Sequence, residues 1–224
     1  SEQQLKSMDP QKLLNVLKNL KNYKQTVLYY GPSSIKDIDN LLAKTFKTAK
    51  KFAPLPKEKR YTLQTTPQNE VIIAPYNAKN IYMVQFHNEN KEWNPNDAAK
   101  ISLFNEYFGG GMNAIVFQEM REARALAYTA SASYHMPNRL GDKDYFNTFI
   151  ITQNDKMMDC IAQFNELLNN MPVRLANFDL AKQNLLKSLA STRTTKFSIL
   201  SAYMNAQKMG LNCTLSEKIY NDLP

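Results

Sequence analysis

The sequence predicts an α+β fold, in which a mostly antiparallel sheet carries helices layered on one face. From residue 61 onward, groups of short β-prone runs precede longer segments with helical spacing of apolar residues. Because strands and helices do not alternate, the pattern disfavours a parallel sheet. The β-prone runs from Ala127 to His135 and from Tyr145 to Thr152 flank a polar turn, and they predict a hairpin.

The first third of the chain predicts a helix, a strand and a second helix. Asp9 followed by Pro10 is a favourable helix start, because aspartate caps free N–H groups and proline suits the first helical position. The run from Thr26 to Tyr30 is β-prone and ends at a Gly-Pro turn. A pair of serines then precedes a helical segment that extends to Phe46.

The same periodicities predict the remaining elements. Strands are predicted at residues 61–63, 71–74 and 81–86. Helices are predicted at residues 97–108, 113–123, 155–168 and 177–209. Asp97 is the predicted cap of the first of these helices, and a glycine triplet separates it from the second.

The chain is expected to form one main domain. Residues 1–22 are predicted to be a lead-in helix, and residues 23–224 a single α+β domain. A basic, proline-containing stretch within it, residues 47–60, is typical of a solvated linker. The abrupt ends of the sequence suggest a piece of a longer protein.

The net charge of +8 is typical of some nucleic-acid-binding proteins, since lysine and arginine supply the sequence-independent part of such binding. Apart from residues 47–60, however, the basic residues are scattered, and no nucleic-acid-binding motif accompanies them. The sequence also contains no run of about 18 apolar residues. We therefore expect neither nucleic acid nor a membrane as a partner, and a basic nucleic-acid-binding module is the less favoured alternative.

The sequence shows no self-sufficient catalytic or metal site. His87 and His135 each stand at the end of a predicted strand, without the ligand spacing of a zinc site. The two cysteines have neither metal spacing nor a disulfide framework. A nucleophile elbow and a phosphate-binding loop are both missing from the sequence. We therefore predict no catalytic residue, no metal ligand and no bound cofactor in this chain.

The most informative stretch is residues 104–128, FNEYFGGGMNAIVFQEMREARALAY, which holds three of the six glycines. An ordered glycine costs about 0.5–1 kcal/mol relative to alanine. Three in a row therefore indicate that the backbone must be free of side chains at these positions. The helical run after the triplet carries Arg121, and Tyr128 follows seven positions later at the start of a predicted strand.

This stretch resembles the hallmark region of the pitrilysin/insulinase family of zinc metallopeptidases. In that family a glycine-rich break precedes a helix with phenylalanine-glutamine-glutamate and arginine, and a leucine-alanine-tyrosine strand start follows. The matching residues here are Tyr107 to Met112, Val116 to Glu122 and Leu126 to Tyr128. A looser likeness extends over most of the chain, at residues 29–32, 151–157 and 178–182.

The resemblance implies a clamshell enzyme with two halves, each a pair of related α+β domains, that closes around a peptide or an unfolded polypeptide. The metal-bearing half of such enzymes has a His-x-x-Glu-His motif, which this sequence lacks. The chain therefore resembles a domain of the metal-free, C-terminal half, and Zn²⁺ is expected in the metal-bearing half, its partner. The chain would bind substrate for a peptidase without being catalytic alone. The alternative is a non-catalytic scaffold or subunit homologue.

In this family the metal-free half contributes an arginine and a tyrosine that reach the substrate, with the separation of Arg121 and Tyr128. Negative charge develops on the carbonyl oxygen during peptide hydrolysis, and both side chains donate hydrogen bonds at neutral pH. The triplet Gly109, Gly110 and Gly111 is predicted to form a turn between helices and a surface that contacts the peptide. Family members often have glycine where Ala127 stands.

The residues by themselves leave a purely structural interpretation open. Arg121 is close in sequence to Glu119 and Glu122 and could form an ion pair with either. Tyr128 could be a core residue whose hydroxyl is satisfied internally.

Overall fold

The computed structural model describes residues 1–47 and 49–223. The chain divides into two compact units, Ser1–Tyr61 and the remainder from Thr62 onward. The predicted single domain over residues 23–224 stays a prediction. Thr48, inside the predicted linker 47–60, lies outside the described residues.

Among its described residues, the first unit contains three α-helices: α1 (Glu2–Lys6), α2 (Pro10–Asn19) and α3 (Ile35–Thr45). The predicted helix start is confirmed, because the Asp9 carboxylate accepts a hydrogen bond from the Gln11 N–H. The Ser34 hydroxyl caps α3 by accepting from the Asp37 N–H. The lead-in segment is two helices because Asp9 starts a new helix after α1 has ended.

The strand predicted from Thr26 to Tyr30 is wrong, since these residues form no ladder. The Tyr29 side chain folds back over Gly31, where an added Cβ would lie 2.3 Å from the tyrosine hydroxyl. That hydroxyl accepts a hydrogen bond from the Ser33 N–H at 3.0 Å. Local turn contacts therefore replace the cross-strand neighbours that β propensity requires.

The second unit is built on an antiparallel sheet with the strand order β1-β3-β2 among the described residues. Its strands are β1 (Asn80–His87), β2 (Thr129–His135) and β3 (Tyr145–Gln153). The predicted hairpin is confirmed, because β2 and β3 pair from Thr129 opposite Ile151 to His135 opposite Tyr145. β1 pairs with the other side of β3.

The strands predicted at residues 61–63 and 71–74 are wrong, because both segments are irregular. The segment at residues 71–74 is strongly β-prone, yet Val71, Ile72 and Ile73 are exposed. Propensity measures how well a residue fits a paired, half-buried surface, and this segment has no paired neighbour.

The helices of the second unit are α4 (Ala98–Phe104), α5 (Ile115–Phe117), α6 (Met157–Asn169), α7 (Leu175–Ser191), α8 (Lys196–Lys208) and α9 (Leu215–Asp222). A π-helical turn continues α4 over Asn105–Gly109, and another continues α5 over Gln118–Glu122. Among the described residues, no helix combines the length and apolarity needed to cross a bilayer.

Two details of these helices differ from the sequence predictions. Asp97 makes no capping hydrogen bond; the Asn94 side chain caps the preceding 3₁₀ turn by accepting from the Asn96 N–H. The helix predicted at residues 177–209 is two helices. Thr195 caps α8 through a reciprocal pair of hydrogen bonds with Ser198, which favours a new helix start over continuation of α7.

Burial alternates along the sheet, so one face carries the core. Ala130 and Ala132 on β2 and Ile150 on β3 are buried, whereas Tyr82 and Val84 on the opposite face are exposed. The buried face packs against α5, α6 and the two π-helical turns. The α+β fold predicted from the sequence is confirmed.

An aromatic cluster lies at the centre of this packing. The Phe104 and Phe108 rings stack with their centroids 5.2 Å apart. Tyr107 and Phe108 are both buried. This cluster anchors the end of α4 and the glycine triplet that follows it.

Candidate functional site

Arg121 lies in the π-helical turn Gln118–Glu122, at the end of the segment that follows the glycine triplet. The turn buries Glu119 and Met120 and exposes Arg121. π-helical turns are rare and frequently occur at functional sites, because the inserted residue redirects side chains. The sequence periodicity contains no signal for this insertion.

The structure brings Arg121 and Tyr128 together on the surface. The guanidinium carbon of Arg121 lies 5.3 Å from the centre of the Tyr128 ring and 5.0 Å from the centre of the Phe117 ring. Both distances are within the range of cation–π attraction. The Tyr128 side chain is 76% exposed, and no described residue hydrogen-bonds its hydroxyl.

The structure gives little support to a purely structural role for Arg121 or Tyr128. Arg121 Nε lies 3.6 Å from Glu122 Oε1, and both side chains are about half exposed. An exposed pair at this distance contributes at most about 1 kcal/mol. Glu119 pairs with other residues, and Tyr128 is outside the core.

A tight turn connects the arginine to the tyrosine. Ala125, in this turn, has a φ of +49°, a left-handed conformation that costs a non-glycine residue about 1–2 kcal/mol. Its N–H donates to the Arg121 carbonyl at 3.0 Å, and its carbonyl accepts from Lys156 Nζ at 3.0 Å. The Tyr128 N–H then donates to the Ile151 carbonyl at 3.1 Å, which places the tyrosine at the end of the sheet.

Glu119 is a buried carboxylate two positions before Arg121, in the same π-helical turn. It forms ion pairs with both Arg124 and Arg174, whose side chains are partly exposed. Burial by itself would raise the pKa of Glu119, but the hydrogen bonds and charges of the two arginines outweigh burial and lower that pKa. This triad could not be predicted from local sequence patterns, because Arg174 is 55 positions from Glu119.

The Tyr107 hydroxyl holds the segment that supplies Arg174. It donates to the Pro172 carbonyl at 2.6 Å and accepts from the Arg174 N–H at 3.0 Å. A buried hydroxyl with both partners satisfied is well ordered. The end of α4, the π-helical turn with Arg121 and the start of α7 are therefore joined by polar contacts.

The three glycines have different environments. Gly109 is buried against β2, and an added Cβ would lie 2.0 Å from the Ala132 carbonyl oxygen. An added Cβ at Gly110 would lie 2.9 Å from the Asn105 carbonyl oxygen. At Gly111 no heavy atom lies within 4 Å of that position. Close packing therefore explains the first glycine, and peptide contact by the triplet stays a prediction.

Asn105 completes the contact between this helix end and β2. Its side-chain amide donates to the Tyr134 carbonyl at 2.9 Å and accepts from the Tyr134 N–H at 2.8 Å. The amide thus bonds the backbone as a neighbouring strand would. Together with Gly109, it covers the side of β2 that faces away from β3.

The histidines do not form a metal site. His87 Nε2 lies 3.6 Å from Glu89 on the surface, and His135 bonds Asn147 at 2.7 Å while it stacks on Tyr145. Over residues 1–47 and 49–223, no cluster of three His, Cys, Asp or Glu side chains could hold a metal ion. The described residues therefore do not fit a zinc site.

A family model described as the peptidase M16 inactive domain matches residues 8–185. The matched range contains the glycine triplet, Arg121 and Tyr128. None of the curated protein sequences matches the chain.

Three solved bacterial structures are similar to this chain. A protease from Helicobacter pylori is 13% identical with a TM-score of 0.54, over 85% of this chain and 49% of that chain. The periplasmic protease PqqL from Escherichia coli is 14% identical with a TM-score of 0.59, over 86% of this chain and 21% of that chain. A peptidase M16 inactive domain from Pseudomonas fluorescens is 20% identical with a TM-score of 0.43, over 66% of this chain and 32% of that chain. At these identities the first two show a shared fold, and this chain spans less than half the length of each protein.

Proposed function

Because the chain belongs to the family of peptidase M16 inactive domains, we propose that it is the substrate-binding, metal-free domain of a peptidase. This membership agrees with the resemblance to the pitrilysin/insulinase family found in the sequence. The metal-bearing half would be its partner, and an extended peptide or unfolded polypeptide its substrate. Zn²⁺, which the resemblance implies, would be bound by residues outside this chain.

The observation that carries the proposal is the exposed pair of Arg121 and Tyr128. Cation–π attraction uses the charge of the guanidinium and leaves its N–H donors for a ligand. The phenol hydroxyl has no described partner and can donate a hydrogen bond. Two donors of this kind, side by side, suit the carbonyl oxygen of a peptide bond on which negative charge develops.

The contacts that hold the backbone around Arg121 and Tyr128 favour a preorganised site. Donors stabilise a developing charge best when they need no rearrangement at the moment of reaction. The ion pairs of Glu119 connect the π-helical turn to Arg124 and Arg174, and Lys156 bonds the carbonyl of Ala125 in the turn that follows. Both side chains therefore project from a backbone that is fixed at several points.

The proposal is tested in the full-length protein with both halves present. Arg121→Ala and Tyr128→Phe should each lower kcat/KM for a peptide by about a hundredfold or more, because one lost donor costs about 2.7–4 kcal/mol in the transition state. The matched controls are Arg193→Ala and Tyr76→Phe, which change exposed residues of the same types. Unchanged kcat/KM in both test variants, with normal thermal unfolding, would refute the assigned role.

A further inference from the structure

The excess positive charge of the chain lies entirely in its first unit. Residues 1–61 contain 13 lysines and arginines against five aspartates and glutamates, a net charge of +8, whereas residues 62–224 contain 15 of each kind. The first compact unit ends at Tyr61, so the division of charge coincides with the division of the structure. Charge concentrated in this way creates a positive potential that attracts anions.

The basic residues of the first unit are all exposed and outnumber their acidic neighbours. Glu2 forms an ion pair with Lys6, and Glu58 forms one with Arg60. Apart from these two pairs, eleven basic residues remain against three acidic ones. The carboxylates of this unit therefore cannot balance its lysines.

Two hydrogen bonds attach the basic segment 47–60 to the chain directly after α2. The Ala53 N–H donates to the Asn22 carbonyl at 2.8 Å, and the Ala49 N–H donates to the Lys21 carbonyl at 3.4 Å. The two stretches therefore lie alongside each other. Because the bonded residues are 28 and 31 positions apart, no local sequence pattern predicts this contact.

Four exposed lysines lie on or beside these bonded residues, and we call them the basic patch: Lys21, Lys24, Lys50 and Lys51. The two lysines of the basic segment follow Ala49 directly. The Gln25 side chain bonds the Leu20 carbonyl at 3.0 Å, which folds the chain back around Lys24. Like charges gathered in one area repel one another unless a ligand supplies the opposite charge. The basic patch therefore favours an anionic ligand.

Exposed apolar side chains accompany these lysines. Leu20 precedes Lys21 and is 52% exposed, and Phe52 follows Lys51 and is 45% exposed. Cations beside apolar side chains suit a ligand that carries both carboxylates and apolar groups. An unfolded polypeptide with glutamate and leucine residues has both.

We propose that the basic patch binds acidic segments of the substrate, so that this domain selects acidic unfolded polypeptides. The choice of a polypeptide as the ligand rests on the function proposed above. Several exposed ion pairs, each weak, would supply the affinity together. Salt would weaken the binding, because exposed charges are screened beyond about 8 Å at physiological ionic strength.

Fluorescence anisotropy of the full-length protein tests this assignment, with EDTA present to prevent hydrolysis of the probe. The probe is a labelled unfolded peptide of glutamate, leucine and serine, and its control has glutamine in place of every glutamate. The glutamate peptide should bind about tenfold or more tightly than the glutamine peptide, and high salt should reduce this difference. Equal affinities of the two peptides would overturn the proposal.

Two variants with the same change in net charge locate the binding. The test variant has glutamine at all four positions of the basic patch, and it should bind the glutamate peptide about tenfold or more weakly. The control variant has the same change at four exposed lysines of the second unit: Lys79, Lys187, Lys196 and Lys208. Equal losses in the two variants would show an effect of net charge alone and would overturn the basic patch as the site.

Vesicles of phosphatidylserine and phosphatidylcholine, and a DNA duplex, are the competing anionic probes. If either binds as tightly as the glutamate peptide and with the same loss in the test variant, the assignment to polypeptides is wrong. Anisotropy measures binding without turnover, so its result is separate from the kinetic test of Arg121 and Tyr128. If those two residues prove dispensable while the test variant loses the glutamate peptide, the proposed function fails and the basic patch stands; the reverse result overturns the basic patch alone.

Discussion

The guanidinium carbon of Arg121 lies 5.3 Å from the centre of the Tyr128 ring, so residues seven positions apart share one small area of the surface. The helical turn and the strand start that carry them are connected by a turn with a left-handed residue, Ala125. The attraction between the two side chains contributes about 0.5–1 kcal/mol at such an exposed position. This attraction favours the arrangement in which the two side chains lie side by side.

Two substitutions at Tyr128 distinguish the contribution of its ring from that of its hydroxyl. Tyr128→Phe keeps the ring beside Arg121 and removes only the hydroxyl donor, whereas Tyr128→Leu also removes the cation–π contact. We expect kcat/KM of the full-length protein for peptides to fall by about a hundredfold with Phe, and several-fold further with Leu, because Arg121 then keeps only its contact with the Phe117 ring. Equal values for the two variants would show that the ring does not position the arginine.

The glycine triplet should respond very unequally to substitution. Gly109→Ala places a Cβ 2.0 Å from the Ala132 carbonyl oxygen, so the helix end must move away from β2. We expect a loss of about 3 kcal/mol or more in the free energy of unfolding, or failure to fold. Gly111→Ala, the matched control, has open space and should change stability by less than about 1 kcal/mol. Urea unfolding measures both, and similar losses would contradict the packing described for Gly109.

Glu119 should make stability depend on acidic pH. Its pKa in the folded state is lower than the ordinary value of 4.5, so its ion pairs stabilise the protein fully above that value. The stabilisation is lost as pH falls through the lower, folded-state pKa. Glu119→Gln should lower the free energy of unfolding by about 1–3 kcal/mol at neutral pH. Below about pH 4.5 the free energy of unfolding of this variant should depend less on pH than that of the unaltered protein.

The control for this prediction is Glu106→Gln, a change in a partly exposed glutamate of the neighbouring π-helical turn. Glu106→Gln should leave the dependence of the unfolding free energy on acidic pH unchanged. Urea unfolding at several pH values gives the comparison. An acid profile of Glu119→Gln that matches the unaltered protein would exclude the carboxylate as the source of the dependence.

The turn between Arg121 and Tyr128 stores backbone strain that glycine should relieve. Ala125→Gly should stabilise the protein by up to about 1 kcal/mol, because glycine adopts a positive φ without a Cβ clash. The matched control is Ala123→Gly, at a φ of −78°, which should destabilise by about 0.5–1 kcal/mol. Thermal unfolding distinguishes these opposite signs, and destabilisation by both substitutions would contradict the strain at Ala125.

The sequence was a good guide where local pattern and tertiary partner agree. The hairpin of β2 and β3 was predicted because its two runs are neighbours along the chain and supply each other's hydrogen bonds. The runs at Thr26 to Tyr30 and Val71 to Ala74 have equal β propensity but no paired neighbour, and they are irregular. Propensity reports the suitability of a residue for a ladder and contains no information about the partner.

By itself the sequence determined the α+β class, the hairpin, the glycine break between two helices and the proximity in sequence of Arg121 and Tyr128. These features follow from periodicity and from local stereochemistry. Only the tertiary structure decided that the side chains of Arg121 and Tyr128 meet on the surface. It also decided that a carbonyl of β2 leaves no space for a side chain at Gly109, and that Glu119 forms ion pairs with Arg124 and Arg174. Each of those facts depends on a partner that is distant in the sequence: Ala132 for Gly109, Arg174 for Glu119, and Ile151, which holds the backbone of Tyr128. Such contacts form only when the chain folds, so no local pattern of residues encodes them.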